Sequence, residues 1–365
     1  MILHLYFIRK FLMNFLMVLA VFVAITVLAD MVEQIRRFEG DTVGLTEALH
    51  LSLLNAPANL YRILPLLVIL STLSLFLGLA RSSELVVTRA AGRSALRSLI
   101  APVIAALALG VFAVGIWNPI VAGTMKQSEL IADRFANGNS SVLSITREGL
   151  WLRQGNAEGQ TVIHADRANL DGTEMIGVTF LAFGRDAGPL YRVEAARAEL
   201  TEGAWLVSDA KRWQFDGVEN PEAQAEVRAS LRIPSDLTRD SIRESFGTPS
   251  GIAIWQLPEF IQRMERAGFS ARQHRVWFWM EMAHPFLLVA MVLIAAGFTM
   301  RHTRFGRTGV MLLMALLLGF GIFFLKNFAQ ILGENGQIPI LLAAWAPPVA
   351  GILLSLGLLF HTEDG

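Results

Sequence analysis

Cysteine is absent from the 365-residue chain, which excludes disulfides, thiolate zinc sites and a cysteine nucleophile. Any domain outside the cytoplasm must therefore hold together by core packing alone. Lysine is scarce, at positions 10, 126, 211 and 326 only, and none follows glycine. Without a glycine-lysine phosphate cradle the chain cannot be its own ATPase. A GxSxG elbow and an HExxH pair are missing too, and the histidines are scattered. No catalytic residue, metal ligand set or bound cofactor is assigned, and no nucleic-acid partner is expected.

What is present is apolar surface. Hydrophobic residues make up 53% of the chain, and several uninterrupted runs are long enough to cross a bilayer core of about 30 Å. The runs fall at residues 11–29, 60–80, 98–122, 276–300, 310–331 and 338–360, so six membrane spans are predicted. A cleaved signal peptide ending near Val27 and Ala29 is the competing reading of the first run; its length and the five spans that follow favour an intact span. Net charge is zero, and its placement matters more than its sum. Arg9 and Lys10 precede span one, four arginines lie between spans two and three, and Arg301, His302, Arg304 and Arg307 separate spans four and five without an acid. The positive-inside rule then places both termini in the cytoplasm.

Between spans three and four the composition changes. Residues 123–272 carry 17 basic and 21 acidic side chains, and short period-two stretches replace the long apolar runs. Strands are predicted at 161–165, 175–183, 190–198, 205–207 and 225–233, divided by turns such as Asp171-Gly172 and Asp216-Gly217. The insert reads as an all-β sandwich, jelly roll or open barrel on the periplasmic side, closed by a helix at 258–267 that Gly268 stops. The chain thus divides into 1–122 with spans one to three, 123–272 as the β domain, and 273–365 with spans four to six.

The loop RSSELVVTRAAGRSALR, Arg81 to Arg97, forms a short polar helix of about 82–92 between spans two and three. Ser82 or Ser83 is its expected cap, Glu84 suits the positive end of the helix dipole, Gly92 supplies a stop and Ser94 caps the next segment. A basic anchor on lipid phosphates is the plain alternative. Charges inside or beside the spans are the other anomaly. Asp30 and Lys326 both fall in the outer leaflet, where an unpaired charge is costly; an ion pair between spans one and five competes with two independently snorkelling side chains. Arg36 and Arg37 beyond span one, and Lys126 beyond span three, are either cations for a substrate or a solvated face with Glu33 and Glu39. Glu281 and His284, spaced i, i+3 on span four beside Pro285, read as a lumen-facing polar pair; a metal site would need carboxylates from other spans.

The string Arg81-Ser82-Ser83-Glu84-Leu85-Val86-Val87 with Ala91-Gly92, the later Gly149-Leu150-Trp151, Ala267-Gly268, His284-Pro285 and the order of spans and insert resemble the LptF/LptG permeases of lipopolysaccharide export over nearly the whole chain. The resemblance implies a permease subunit of an ABC transporter and a jelly-roll-like periplasmic domain. Its implied partners are an LptF-like second permease subunit, two cytoplasmic LptB-like ATPase subunits that bind ATP and magnesium, a single-span LptC-like protein and a periplasmic bridge protein, with lipopolysaccharide as substrate. Arg81, Ser83, Glu84, Leu85, Val86 and Arg89 would then face the ATPase, and Asp30, Arg36, Arg37, Lys126 and Lys326 the substrate path. The family pattern has a basic residue resembling position 30, an acid resembling position 326 and a basic residue resembling position 281, so the signs here are reversed at 30 and 326 and Glu281 departs. A membrane-anchored assembly scaffold without transport, or an intramembrane enzyme using Glu281 and His284, are the readings from other functional classes.

Overall fold

In the computed structural model, residues 2–37, 44–90, 94–136, 144–146, 149–156, 159–169, 172–184, 188–235, 237–238, 242, 248–266, 270–300 and 308–363 are described. Glu39, Ala91, Gly92, Asp171, Ala267, Gly268 and the basic loop 301–307 lie outside the described residues. The chain forms two compact units, one of residues 1–135, 250–255 and 272–365, the other of residues 136–249 and 256–271.

The first unit is helical. α1 (Ile2–Arg37) and α2 (Leu45–Arg81) are each long enough to exceed the membrane core, so the first predicted span is the central part, and the second the C-terminal part, of a longer helix. The short α3 (Glu84–Ala90) follows. Span three is built from α4 (Ala95–Phe112), a π-helical turn (Ala113–Trp117) and α5 (Asn118–Ala136). Taking the helix of the second unit as α6 (Leu257–Arg266), the last three spans are α7 (Arg272–Thr299), α8 (Thr308–Glu334) and α9 (Ile340–Glu363). All six span helices have the length and hydropathy to cross a membrane.

Helix α7 is apolar around its whole circumference, the pattern of a helix buried on every side. It packs against α2, α4, α8 and α9, and 83% of its most apolar window is buried. Leu287, Leu288, Met291, Val292 and Ile294 of α7 join Leu64, Leu67, Val68, Leu75 and Phe76 of α2 and Phe7, Phe11 and Phe15 of α1 in one core. Gly110 lets α4 approach α7 closely: a Cβ there would lie 2.5 Å from the Cα of Pro285. By contrast α1 and α8 bury only 11% and 17% of their apolar windows. They are the outer helices of the unit.

The second unit holds seven antiparallel strands whose spatial order follows chain order: β1 (Ser144–Thr146), β2 (Gly149–Asn156), β3 (Gly159–Ala168), β4 (Glu174–Gly184), β5 (Pro189–Thr201), β6 (Ala204–Gln214) and β7 (Glu226–Pro234). The all-β insert expected from the sequence is present; β1 and β2 were not anticipated, and β6 is longer than the three residues expected. No Greek-key crossover occurs among the described strands, which run up and down throughout. A transverse kink crosses four of them. On β3 the buried positions pass from Ile163 and Ala165 to Ala168, on β4 from Met175 to Val178, on β5 from Ala195 to Ala198, and on β6 from Val207 to Ala210. Each jump of three reverses the alternation of faces. The register skips Asp166, Gly177, Ala196 and Asp209 at this row, and Gly177 (φ 66°) and Asp209 (φ 54°) are left-handed. Phe180 and Trp205, on opposite sides of this row, are fully buried with ring centroids 6.3 Å apart.

Candidate functional site

The loop between spans two and three contains the helix its sequence predicts, with a different cap. Ser82 Oγ donates to Gly78 O (3.0 Å) and to Glu84 Oε1 (2.8 Å). The first turn of α3 is closed by backbone, since the amides of Val86 and Val87 both donate to Ser83 O at 3.1 Å. Ser83 itself is left-handed, φ 60°, so the chain reverses there. Ser94 caps α4 as expected, accepting from the Arg97 amide at 3.3 Å.

The carboxylate of Glu84 is fully engaged within the chain. Lys10 Nζ donates to both of its oxygens, at 2.9 and 3.0 Å, and Tyr6 Oη donates to Oε2 at 2.8 Å. The lysine also donates to Tyr6 Oη at 2.9 Å. The bond from Lys10, reinforced by Tyr6 and Ser82, holds the Glu84 carboxyl below its ordinary range against a smaller opposing effect of burial. Val86 and Val87 are 59% and 66% exposed, so α3 turns its acid toward α1 and two valines outward. Arg81 is exposed. Leu85 and Arg89 belong to the helix, and their side chains are outside the described parts.

At the other end of α1, Asp30 does not pair with Lys326. Its carboxylate accepts from Asn55 Nδ2 of α2 at 3.2 Å and weakly from Gln34 at 3.5 Å. Asn55 in turn accepts from Ser128 Oγ of α5 at 2.7 Å. Spans one, two and three are thereby joined at one level. The side-by-side packing of spans one and five that an ion pair requires is replaced by packing of α1 on α2 and α4, and of α8 on α7, α9 and α2. Lys326 is half-buried on α8. Arg36 and Lys126 are exposed, and the side chain of Arg37 is outside the described parts.

Glu281 and His284 do not face a lumen. They are 4% and 5% exposed, and both meet Tyr61 of α2: its hydroxyl donates to Glu281 Oε2, and its ring stacks on the His284 imidazole at 5.3 Å and 11°. Trp117 meets Tyr61 in a T-shaped contact at 6.3 Å. Just beyond, Asn118 Oδ1 accepts from the Ile254 amide at 2.9 Å, and Trp255 Nε1 donates to Gly115 O in the π-helical turn at 3.1 Å. A π turn displaces a backbone carbonyl from its regular partner, and the indole supplies a new one. Tyr61, Lys10, Tyr6, Asn55 and Asn118 were not singled out by sequence as site residues. Two i, i+4 pairs, Tyr6–Lys10 and Asp30–Gln34, were the only local signals.

The family described as "Lipopolysaccharide export system permease LptF/LptG" matches residues 5–361. The chain belongs to this family of lipopolysaccharide export permeases. Its curated relatives include the lipopolysaccharide export system permease protein LptG of Escherichia coli K12, 24% identical over 358 residues, covering 95% of this chain and 94% of that protein. The LptG of Haemophilus influenzae Rd is 24% identical over 354 residues, covering 94% and 93%. The permease is thus a multi-pass inner-membrane protein with a β domain inserted after span three.

Proposed function

We propose that the chain is the LptG-type subunit of an ABC transporter that extracts lipopolysaccharide from the outer leaflet of the inner membrane and hands it to a periplasmic bridge. The observation that carries this reading is a family match spanning spans and insert together, joined to a short helix, α3, set between two spans with Val86 and Val87 exposed. Its sequence has no phosphate cradle of its own, so hydrolysis belongs to a pair of LptB-like ATPase subunits. They receive α3 through Arg81, Ser83, Leu85, Val86 and Arg89, with Glu84 setting the angle of the helix.

The second permease subunit, LptF-like, covers the exposed apolar faces of α1 and α8, the least buried spans. Those two helices frame the cavity, which opens outward when both termini are cytoplasmic. Arg36, Arg37, Lys126 and Lys326 offer cations to phosphorylated sugars through charge-assisted hydrogen bonds, while Asp30 holds the frame through Asn55. Closure of the ATPase subunits moves α3, narrows the cavity by rigid-body motion and expels the lipid toward the insert, whose strands adjoin an LptC-like protein. Photo-crosslinkers at positions 36, 126 and 326 in the assembled complex test the path. Capture of lipopolysaccharide well above a control at position 304 is expected; equal labelling removes these residues from it, and failure of an ATPase to co-purify overturns the transporter reading.

A further inference from the structure

Lys10 has contacts that transport, as described so far, does not use. A cation at the cytoplasmic end of a first span ordinarily reaches lipid phosphates. Here its amine turns inward to three oxygens, both of Glu84 and the Tyr6 hydroxyl, at 2.9 to 3.0 Å, and sits 5.1 Å from the centre of the Tyr6 ring. Side chains from α1, α3 and the turn at Ser82 therefore converge on one carboxylate. One turn further along α1, Asn14 Nδ2 donates to Lys10 O at 2.8 Å and Asn14 Oδ1 accepts from Ser74 Oγ of α2 at 3.0 Å. The same face of span one is thus tied first to α3 and then to α2.

Covalently, α3 joins α2 to α4 and has no link to span one. A push on α3 reaches span one either through the apolar packing of α1 on those two helices or through this polar cluster. Apolar contacts between helices in lipid have no hydrophobic driving force and resist sliding poorly; a bidentate charged contact fixes direction and register.

We propose that Lys10 is a positioning residue for transport: it clamps the docking helix α3 to span one, so that movement of α3 is delivered to a wall of the lipopolysaccharide cavity. This rests on the transport reading above. The clamp assigns Glu84 a second partner inside its own subunit, and it makes Tyr6 and Ser82 its supports.

The test uses the full chain within its purified complex, with Lys10→Met and the conservative Lys10→Arg. Amide hydrogen exchange across residues 84–90 reports the clamp itself. Lys10→Met is expected to speed it about two- to five-fold, the range of a partly exposed ion pair, while Lys10→Arg stays near wild type. The exchanged pair Lys10→Glu with Glu84→Lys should recover most of the protection. Lipopolysaccharide released per ATP hydrolysed reports transmission: Lys10→Met is expected to lower this ratio several-fold while the ATPase still co-purifies, and Lys10→Arg to restore it. Unchanged exchange in Lys10→Met overturns the clamp whether or not the complex transports. Faster exchange with an unchanged release ratio overturns the transmission role. Loss of ATPase co-purification from the wild-type chain would instead sink the transporter reading, leaving the exchange result to decide the clamp.

Discussion

Removing the Tyr61 hydroxyl tests a buried polar contact between α2 and α7. Tyr61→Phe keeps the ring stacked 5.3 Å from His284 and 6.3 Å from Trp117, so packing changes little, while Glu281 loses the donor on Oε2. Bonds between membrane helices average about 0.6 kcal/mol and reach about 1.7, because partners are also available before the helices associate. Glu281, however, is 4% exposed, and a stranded buried acceptor costs about 1 to 3 kcal/mol. The acceptor's isolation should win, giving a loss of about 1.5 kcal/mol, a factor of about ten in the equilibrium. Tyr61→Phe with Glu281→Leu removes both partners and should recover most of it, since the stranded carboxyl group is gone. Reversible unfolding of the detergent-solubilised chain in SDS measures all three variants. A Tyr61→Phe loss under about 0.5 kcal/mol, or a double variant showing the sum of two losses, refutes the reasoning.

Three further outcomes follow from other contacts. The Glu84 carboxyl is depressed below its ordinary 4.5 by Lys10; the linkage sign for a lowered acid means its contribution is present above that value and is lost as pH falls beneath it, so exchange protection of α3 should be flat from neutral pH to about 5 and fall in stronger acid. Protection lost already between pH 7 and 6 would show that another group controls α3. Asn55→Ala cuts both Asp30 and Ser128 loose and should destabilise the helical unit by about 1 to 2 kcal/mol, whereas Asn55→Asp, which cannot donate to Asp30, should do at least as much damage; a benign Asn55→Asp in SDS unfolding would contradict the contact. Gly177→Ala must place a methyl against the Asp166 carboxylate at φ 66°, so the insert should lose about 1 to 3 kcal/mol by thermal unfolding, and an unchanged midpoint would contradict the kink.

The spans were legible because an apolar run of membrane length leaves few alternatives. Their full extent was not, since the ends of α1 and α2 carry polar residues that keep helical period without raising hydropathy. Strand β6 shows a different limit. Its period-two pattern runs through Trp205 and Val207, reverses at Asp209 and resumes at Ala210, so a reading by alternation stops at the kink and recovers only its first part. The same reversal hides nothing on β4, where Phe180 and Ala182 continue the apolar run. For the polar residues, sequence supplied depth and not neighbours. Asp30 and Lys326 were matched by height in the bilayer, yet α1 and α8 do not lie side by side, and Asp30 found an asparagine on the intervening α2. Tyr61 was invisible because one tyrosine near a span's outer end looks like an interfacial anchor until Glu281 is seen beside it. Lys10 was hidden by the positive-inside rule itself, which gives every basic residue at that boundary a sufficient reason to be there.

Helix α1 shows why these polar contacts matter more than their number suggests. It is the least buried span, with Leu5, Met13, Leu16, Met17, Ile25 and Val32 all exposed. A helix held by one apolar stripe in lipid can rotate or slide at small cost, because tails and side chains solvate it alike. Among the described residues, polar contacts at three levels interrupt that freedom along its length: Lys10 and Tyr6 to Glu84, Asn14 to Ser74 and Asp30 to Asn55. All three reach the same neighbour, α2 or the helix it continues into, so they fix one register of span one against span two and leave its opposite face apolar and open. A helix fixed on one side and uncovered on the other is suited to move with its neighbour as a body while its free face takes a lipid or a partner subunit.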